Sequence, residues 1–162
     1  MQTDHTKSDE NVYSRYRKLA STKQDVLSSR EGAAELLEIS AESLRDYERG
    51  VTKTVPAEIV LKMSRVYNAP ELRNYYCRNV CPIGELYTPK IDVEQVEIDR
   101  LTLRLLSALR NVTTIRDTLV EIVADGVITN DERPALTQVL ETLDAISIHA
   151  QELRIWAEKH LK

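Results

Sequence analysis

The stretch Ala33–Gly50, AAELLEISAESLRDYERG, leaves few ways to fold. Ala34, Leu36 and Leu37 sit at the spacing of a short helix that offers them to a core, and Ile39 follows in a turn. Ser40 stands where its hydroxyl can accept from an unpaired amide of a second helix. Leu44 and Tyr47, three residues apart, give that second helix one buried face, and Gly50 falls where a left-handed C-cap is needed. Two short helices crossing about so tight a turn form a helix-turn-helix, an arrangement whose second helix can lie in a DNA major groove.

The flanking residues extend the pattern. A first helix is expected from Asn11 to about Gln24 with Val12, Tyr16 and Leu19 inward. Ser28-x-x-Glu31 has the form of a capping box opening the second helix. The third helix is expected at Ala41–Arg49. Pro56 suits the first turn of a fourth and Pro70 the start of a fifth, Glu71–Arg78. Residues 1–10 are expected to be a disordered tail and 11–79 one domain. Cys81-Pro82-Ile83-Gly84 and Thr88-Pro89 place a linker at 80–91.

Residues 12–76 resemble the Xre-type, lambda-repressor and Cro-like, family of bacterial and phage regulators. The residues that carry the resemblance are Ser29-Arg30-Glu31, Ala33-Ala34-Glu35-Leu36-Leu37, Ile39-Ser40 and Tyr47-Glu48-Arg49-Gly50. Pro56 followed by Ile59, Val60, Met63, Val66 and Tyr67 matches the family's fourth helix. The chain differs in carrying Arg30 where Gln is common, Glu38 where Gly is common, and a Lys23–Ser28 segment about one residue longer. The resemblance implies a five-helix DNA-binding domain and a transcriptional regulator of repressor type. On a reading helix so placed, Ala41, Glu42, Ser43, Arg45, Asp46 and Arg49 face outward with Ser40 at its head. Arg45 can pair bidentately with a guanine edge, and Ser43 can donate or accept. Ser29 and Arg30 at the start of the second helix are placed to hold a phosphate, and Thr52 and Lys53 follow the reading helix where the family contacts the backbone. Glu42, Asp46 and Glu48 put three acids into the same helix, which suits a protein-binding adaptor instead.

Beyond the linker the period changes. Ile98, Leu101, Leu105, Ala108, Val112, Ile115, Leu119 and Ile122 alternate steps of three and four, and Leu136, Val139, Leu143, Ile146, Ala150, Leu153 and Ala157 resume them after Asp125-Gly126. Residues 92–162 are therefore expected to form a long antiparallel hairpin of two helices, coiled-coil-like, in an all-α protein. Leu106, Leu109, Val120 and Val123 form a second apolar stripe that a two-helix hairpin cannot bury. A second copy of the chain is the expected cover, giving a dimeric bundle; packing on the N-terminal domain is the alternative.

Charge separates the halves. The chain has 22 Lys+Arg and 26 Asp+Glu, net −4; residues 1–90 carry about +1 and the remainder −5, so a nucleic-acid face belongs to the first half. The opening MQTDHTKSDENVY is polar and acidic, unlike a signal peptide or membrane anchor, and the expected location is cytoplasmic. Cys77 and Cys81 are too few for a structural zinc site, which needs four ligands, and read as packing residues. Glu121–Glu132 has part of the spacing of a calcium loop, but Val123 stands where an oxygen ligand is required. Asp125-Gly126 as a turn and Thr129-x-x-Glu132 as a capping box account for more of it. Most of the seven tyrosines are expected in the core with the hydroxyl outward. No nucleophile, phosphate loop or clustered Cys/His set is present, so neither an enzyme nor a cofactor or metal protein is expected.

Overall fold

The computed structural model describes residues 11–91 and 97–161; the expected tail at 1–10 lies outside them. Every regular element among the described residues is helical. The chain divides into two compact units between Thr88 and Pro89, each with its own packing.

In the first unit α1 (Val12–Ser21), a 3-10 turn (Asp25–Ser28), α2 (Arg30–Leu37), α3 (Ala41–Arg49), α4 (Ala57–Val66), α5 (Glu71–Asn79) and α6 (Pro82–Tyr87) follow one another. Leu27, Ala33, Leu37, Leu44, Met63 and Leu72 form the centre of its core, all essentially inaccessible. Asn11 starts α1 by accepting from the Tyr13 amide at 2.9 Å, while its Nδ2 donates to the Tyr47 carbonyl at 3.1 Å and ties the head of α1 to the tail of α3.

Several expected details shift. Helix α1 ends at Ser21 rather than Gln24, and it buries Tyr13, Ser14, Tyr16 and Arg17. Leu19 is 58% exposed. The rotation is possible because the Arg17 charge is met inside the fold, as set out below. Helix α2 buries Ala33, Ala34 and Leu37 and leaves Leu36 out; two adjacent alanines allow a close approach that Leu36 would block. Its N-cap is Ser29, whose Oγ accepts from the Gly32 amide at 3.0 Å, because the 3-10 turn has already taken Ser28. The 80–91 segment is not plain linker. Pro82 sits in the first turn of α6, and the Cys81 Sγ caps that turn by accepting from Gly84 N–H at 3.4 Å. Gly84 lies so close to α5 that a Cβ there would collide with the Cys77 carbonyl. Residues that resemble breakers are here a helix start and a contact point.

The Tyr67 hydroxyl, expected outward, is buried without a hydrogen-bond partner among the described residues. Burial holds it un-ionised well above the usual tyrosine range, with the Glu48 carboxylate adding and Arg17 opposing. Burial, together with Tyr75 and Tyr76, pushes Tyr13 up to about 12. An acid kept neutral by folding contributes stability that is fully present below its unfolded pKa, about 10, and is lost as pH rises through the folded value. The first unit should therefore weaken between pH 10 and about 12. Tyrosinate absorbance and helical circular dichroism, titrated together, should change in step; full tyrosine ionisation near pH 10 with the helices intact would contradict this.

The second unit consists of α7 (Ile98–Leu109), α8 (Val112–Ile122) and α9 (Arg133–His160). The first arm expected as one helix is thus two, interrupted at Arg110–Asn111. Both pack on α9: Arg104 of α7 faces Glu152, and Ile115 of α8 shares a cavity wall with Val139. The chain turns back through Gly126 at φ 76, with Asp125 accepting from the Val127 amide at 2.9 Å and Glu132 accepting from the Thr129 amide and hydroxyl, both at 2.7 Å. Along α9 the buried positions are Val139, then Glu152 and Ile155. Of the seam expected on α9, Leu143 and Ala150 are exposed. Glu152 is a buried carboxylate, 2.9 Å from His149 Nδ1 and 3.8 Å from Arg104. No described helix is long and apolar enough to cross a membrane.

Candidate nucleic-acid interface

Helix α3 is held in place from both ends and from beneath. Ser40 Oγ accepts from the Ser43 amide at 3.0 Å and lies 2.8 Å from the Ser43 hydroxyl. Gly50 closes the other end at φ 67, where its amide and that of Val51 reach back to Tyr47 and Asp46. Glu38, the residue before Ile39 in the turn, adopts φ 58. Lys62 donates to the Leu37 carbonyl at 3.3 Å and pairs with the Glu38 carboxylate, and that hydrogen bond holds the carboxyl below its usual range.

Beneath α3 lies the most consequential contact of the unit. Glu48 is i+4 from Leu44 and points inward, where it is 5% exposed. Arg17 Nε donates to Oε1 at 2.5 Å and Nη2 to Oε2 at 3.1 Å, a bidentate pair, while Nη1 donates to the carbonyls of Leu27 and Ser28 at 2.9 and 3.2 Å. Arg30 Nε adds a third bond, to Oε2 at 2.6 Å. The carboxylate thus joins α1, α2 and α3, and Arg17 carries the link on to the 3-10 turn. Buried charges persist only when so paired. Arg17 escaped notice in the sequence because charge alone assigns it to the surface, yet its position one turn from Tyr13 was the available sign.

Glu48, one of the three acids of α3, is therefore not on its outward face. Glu42, Arg45 and Arg49 are exposed, and Ala41, Ser43 and Asp46 are half-buried. Arg45 lies between two acids, its Nη2 3.2 Å from Glu42 and its Nε 3.6 Å from Asp46. Such exposed pairs contribute at most about 1 kcal/mol each and exchange readily for a stronger anion. Arg49 and Lys53 are exposed and make no ion pair among the described residues, and Thr52 is exposed beside Lys53. Ser29 spends its hydroxyl on capping α2, and the Arg30 side chain is 41% exposed while its Nε is engaged by Glu48. The structure therefore gathers Arg30, Arg45, Arg49 and Lys53 around α3, with Ser40 and Ser29 serving the backbone first.

In the second unit Leu106, Leu109, Val120 and Val123 are all exposed, at 57%, 41%, 63% and 60%. Among the described residues no three His, Cys, Asp or Glu side chains are grouped as metal ligands, and both cysteines are free thiols. The chain matches no family model, no curated protein and no solved structure.

Proposed function

We propose that this chain is a sequence-specific DNA-binding regulator of transcription, of repressor type, that acts as a homodimer on a pseudo-palindromic site. In this reading the first unit is a five-helix helix-turn-helix domain extended by α6, and the second is a helical hairpin that pairs protomers. The observation that carries it is the inward turn of Glu48. With that acid neutralised below, α3 offers Arg45 and Arg49 outward, flanked by Arg30 and Lys53, and the similarity of residues 12–76 to Xre-type regulators favours the same use. Arg45 and Ser43 read base edges; Arg49, Lys53, Thr52 and Arg30 take phosphates. Two such helices, roughly 34 Å apart on a dimer, meet successive major grooves of one DNA face.

Arg45→Ala is expected to weaken the preferred site by about 1–3 kcal/mol and relax specificity there, whereas Lys53→Ala should weaken all sequences alike and reduce the salt slope by about one unit. Polarisation titrations at several salt concentrations measure both. Absence of any DNA binding at low salt would rule the reading out.

A second reading is favoured by one observation, the pairing of Arg45 with both Glu42 and Asp46: an adaptor whose α3 face binds a protein. Selection from a random DNA library decides. A recovered palindrome supports the regulator; no enriched sequence, with a stoichiometric protein partner in a pull-down, supports the adaptor.

A further inference from the structure

Two acids, Glu42 and Asp46, remain on the outward side of α3 once Glu48 is spent inside. On a face that meets a polyanion, each carboxylate weakens the attraction to every phosphate. Such an acid has to be offset by a contact it makes there. The two differ in placement. Glu42 stands in the first turn of α3, the part of a reading helix that meets base edges, and its side chain is 77% exposed. Asp46 is one methylene shorter, 35% exposed, and lies 3.6 Å from Arg45 Nε. Asp46 can steady Arg45; Glu42 has the reach and the exposure to meet a base.

The Glu42–Arg45 pair has the geometry to read two bases. Glu42 Oε1 accepts from Arg45 Nη2 at 3.2 Å, and neighbouring base pairs stack about 3.4 Å apart. A guanidinium has five donors, so Arg45 can keep Glu42 and still donate to O6 and N7 of a guanine. Three residues of helix advance about 4.5 Å, which carries Glu42 to the neighbouring pair rather than the same one. A carboxylate only accepts. In the major groove guanine and thymine present acceptors that repel it, and adenine sets N7 beside its amino group. Cytosine presents an amino donor alone.

We propose that Glu42 is a specificity residue: with Arg45 on a guanine, it accepts from the N4 amino group of a cytosine in the adjacent base pair and repels DNA that lacks one. The pairing of Arg45 with an acid, which also suits an adaptor, then has a use on DNA. Specificity of this kind comes from the penalty on wrong sequences as much as from the right contact. The inference rests on the regulator reading above and adds a second base pair to it.

Selection from a random DNA library with the full chain tests it, followed by polarisation titrations of the recovered site and its single-base variants. Each half-site is expected to hold a cytosine next to the guanine whose preference Arg45→Ala abolishes. Replacing that cytosine by any other base should weaken binding by the parent about tenfold. Glu42→Ala should reduce this preference to about twofold or less and tighten binding to a scrambled duplex by about threefold or more at low salt. Glu42→Gln should admit adenine as well as cytosine there, because an amide can donate to N7 while accepting from N6. It keeps the shape of the parent side chain, so it decides the matter if the alanine variant does not fold. A site without that cytosine, or a cytosine preference that Glu42→Ala leaves intact, overturns the proposal and leaves the regulator standing. A preference lost only at the guanine overturns it too, since Glu42 would then act through Arg45 alone. No enriched sequence and no DNA binding at low salt overturns both.

Discussion

Glu48→Ala is expected to destabilise the first unit by about 3–5 kcal/mol, a large share of what a domain of this size has to lose. The substitution removes the carboxylate that meets the Arg17 Nε and Nη2, and Arg17 cannot turn to water because it is 4% exposed. Its bonds to the Leu27 and Ser28 carbonyls match the charge less well than a carboxylate does. Arg17→Met alone should cost less than Glu48→Ala, since Glu48 retains Arg30. The Arg17→Met/Glu48→Leu pair should recover part of the loss, as buried ion pairs replaced by apolar groups often do. Urea unfolding of the parent, Arg17→Met, Glu48→Leu and their double, with Glu48→Ala beside them, checks it, and a coupling energy near zero would contradict the geometry.

The second large effect concerns pairing. Leu106→Asp combined with Val120→Asp should leave each protomer folded, because both side chains face outward, and should make the protein monomeric. A buried Leu or Val contributes about 1.5–3 kcal/mol, and two-fold symmetry counts each change twice. The dimer should therefore weaken by several orders of magnitude, read by sedimentation. Affinity for a two-half-site DNA should fall by about 10²–10⁴ as the second recognition helix loses its tether. A dimer of unchanged strength would place the pairing surface elsewhere.

Much of the first unit was legible in the residues themselves. The bounds of α3, the Ser40 cap and the left-handed Gly50 follow from local chemistry that tertiary contacts reinforce. The errors arose where a distant partner overrode the local signal. Leu19 gave way to Arg17 because Glu48, 31 residues on, satisfies the arginine inside. Leu36 gave way to Ala33 because close packing favoured the smaller residue. Pro82 and Gly84 read as punctuation, since nothing in the sequence announces that α5 lies against them. In the second unit the spacing of α7 and α8 was legible but the interruption at Asn111 was not. For the candidate site, the exposed positions Glu42, Arg45 and Arg49 were legible, whereas nothing in the local pattern named Arg17 and Arg30 as the partners of Glu48.

Among the described residues, the core of the first unit draws its buried side chains from Tyr13 to Leu72, and the unit ends at Thr88. A gene cut near that threonine would hand on two separately inheritable pieces. On the proposed reading, recombination there would change which chains keep company while leaving the DNA sequence they recognise untouched, so that a family of such proteins could diversify its partnerships and its targets independently.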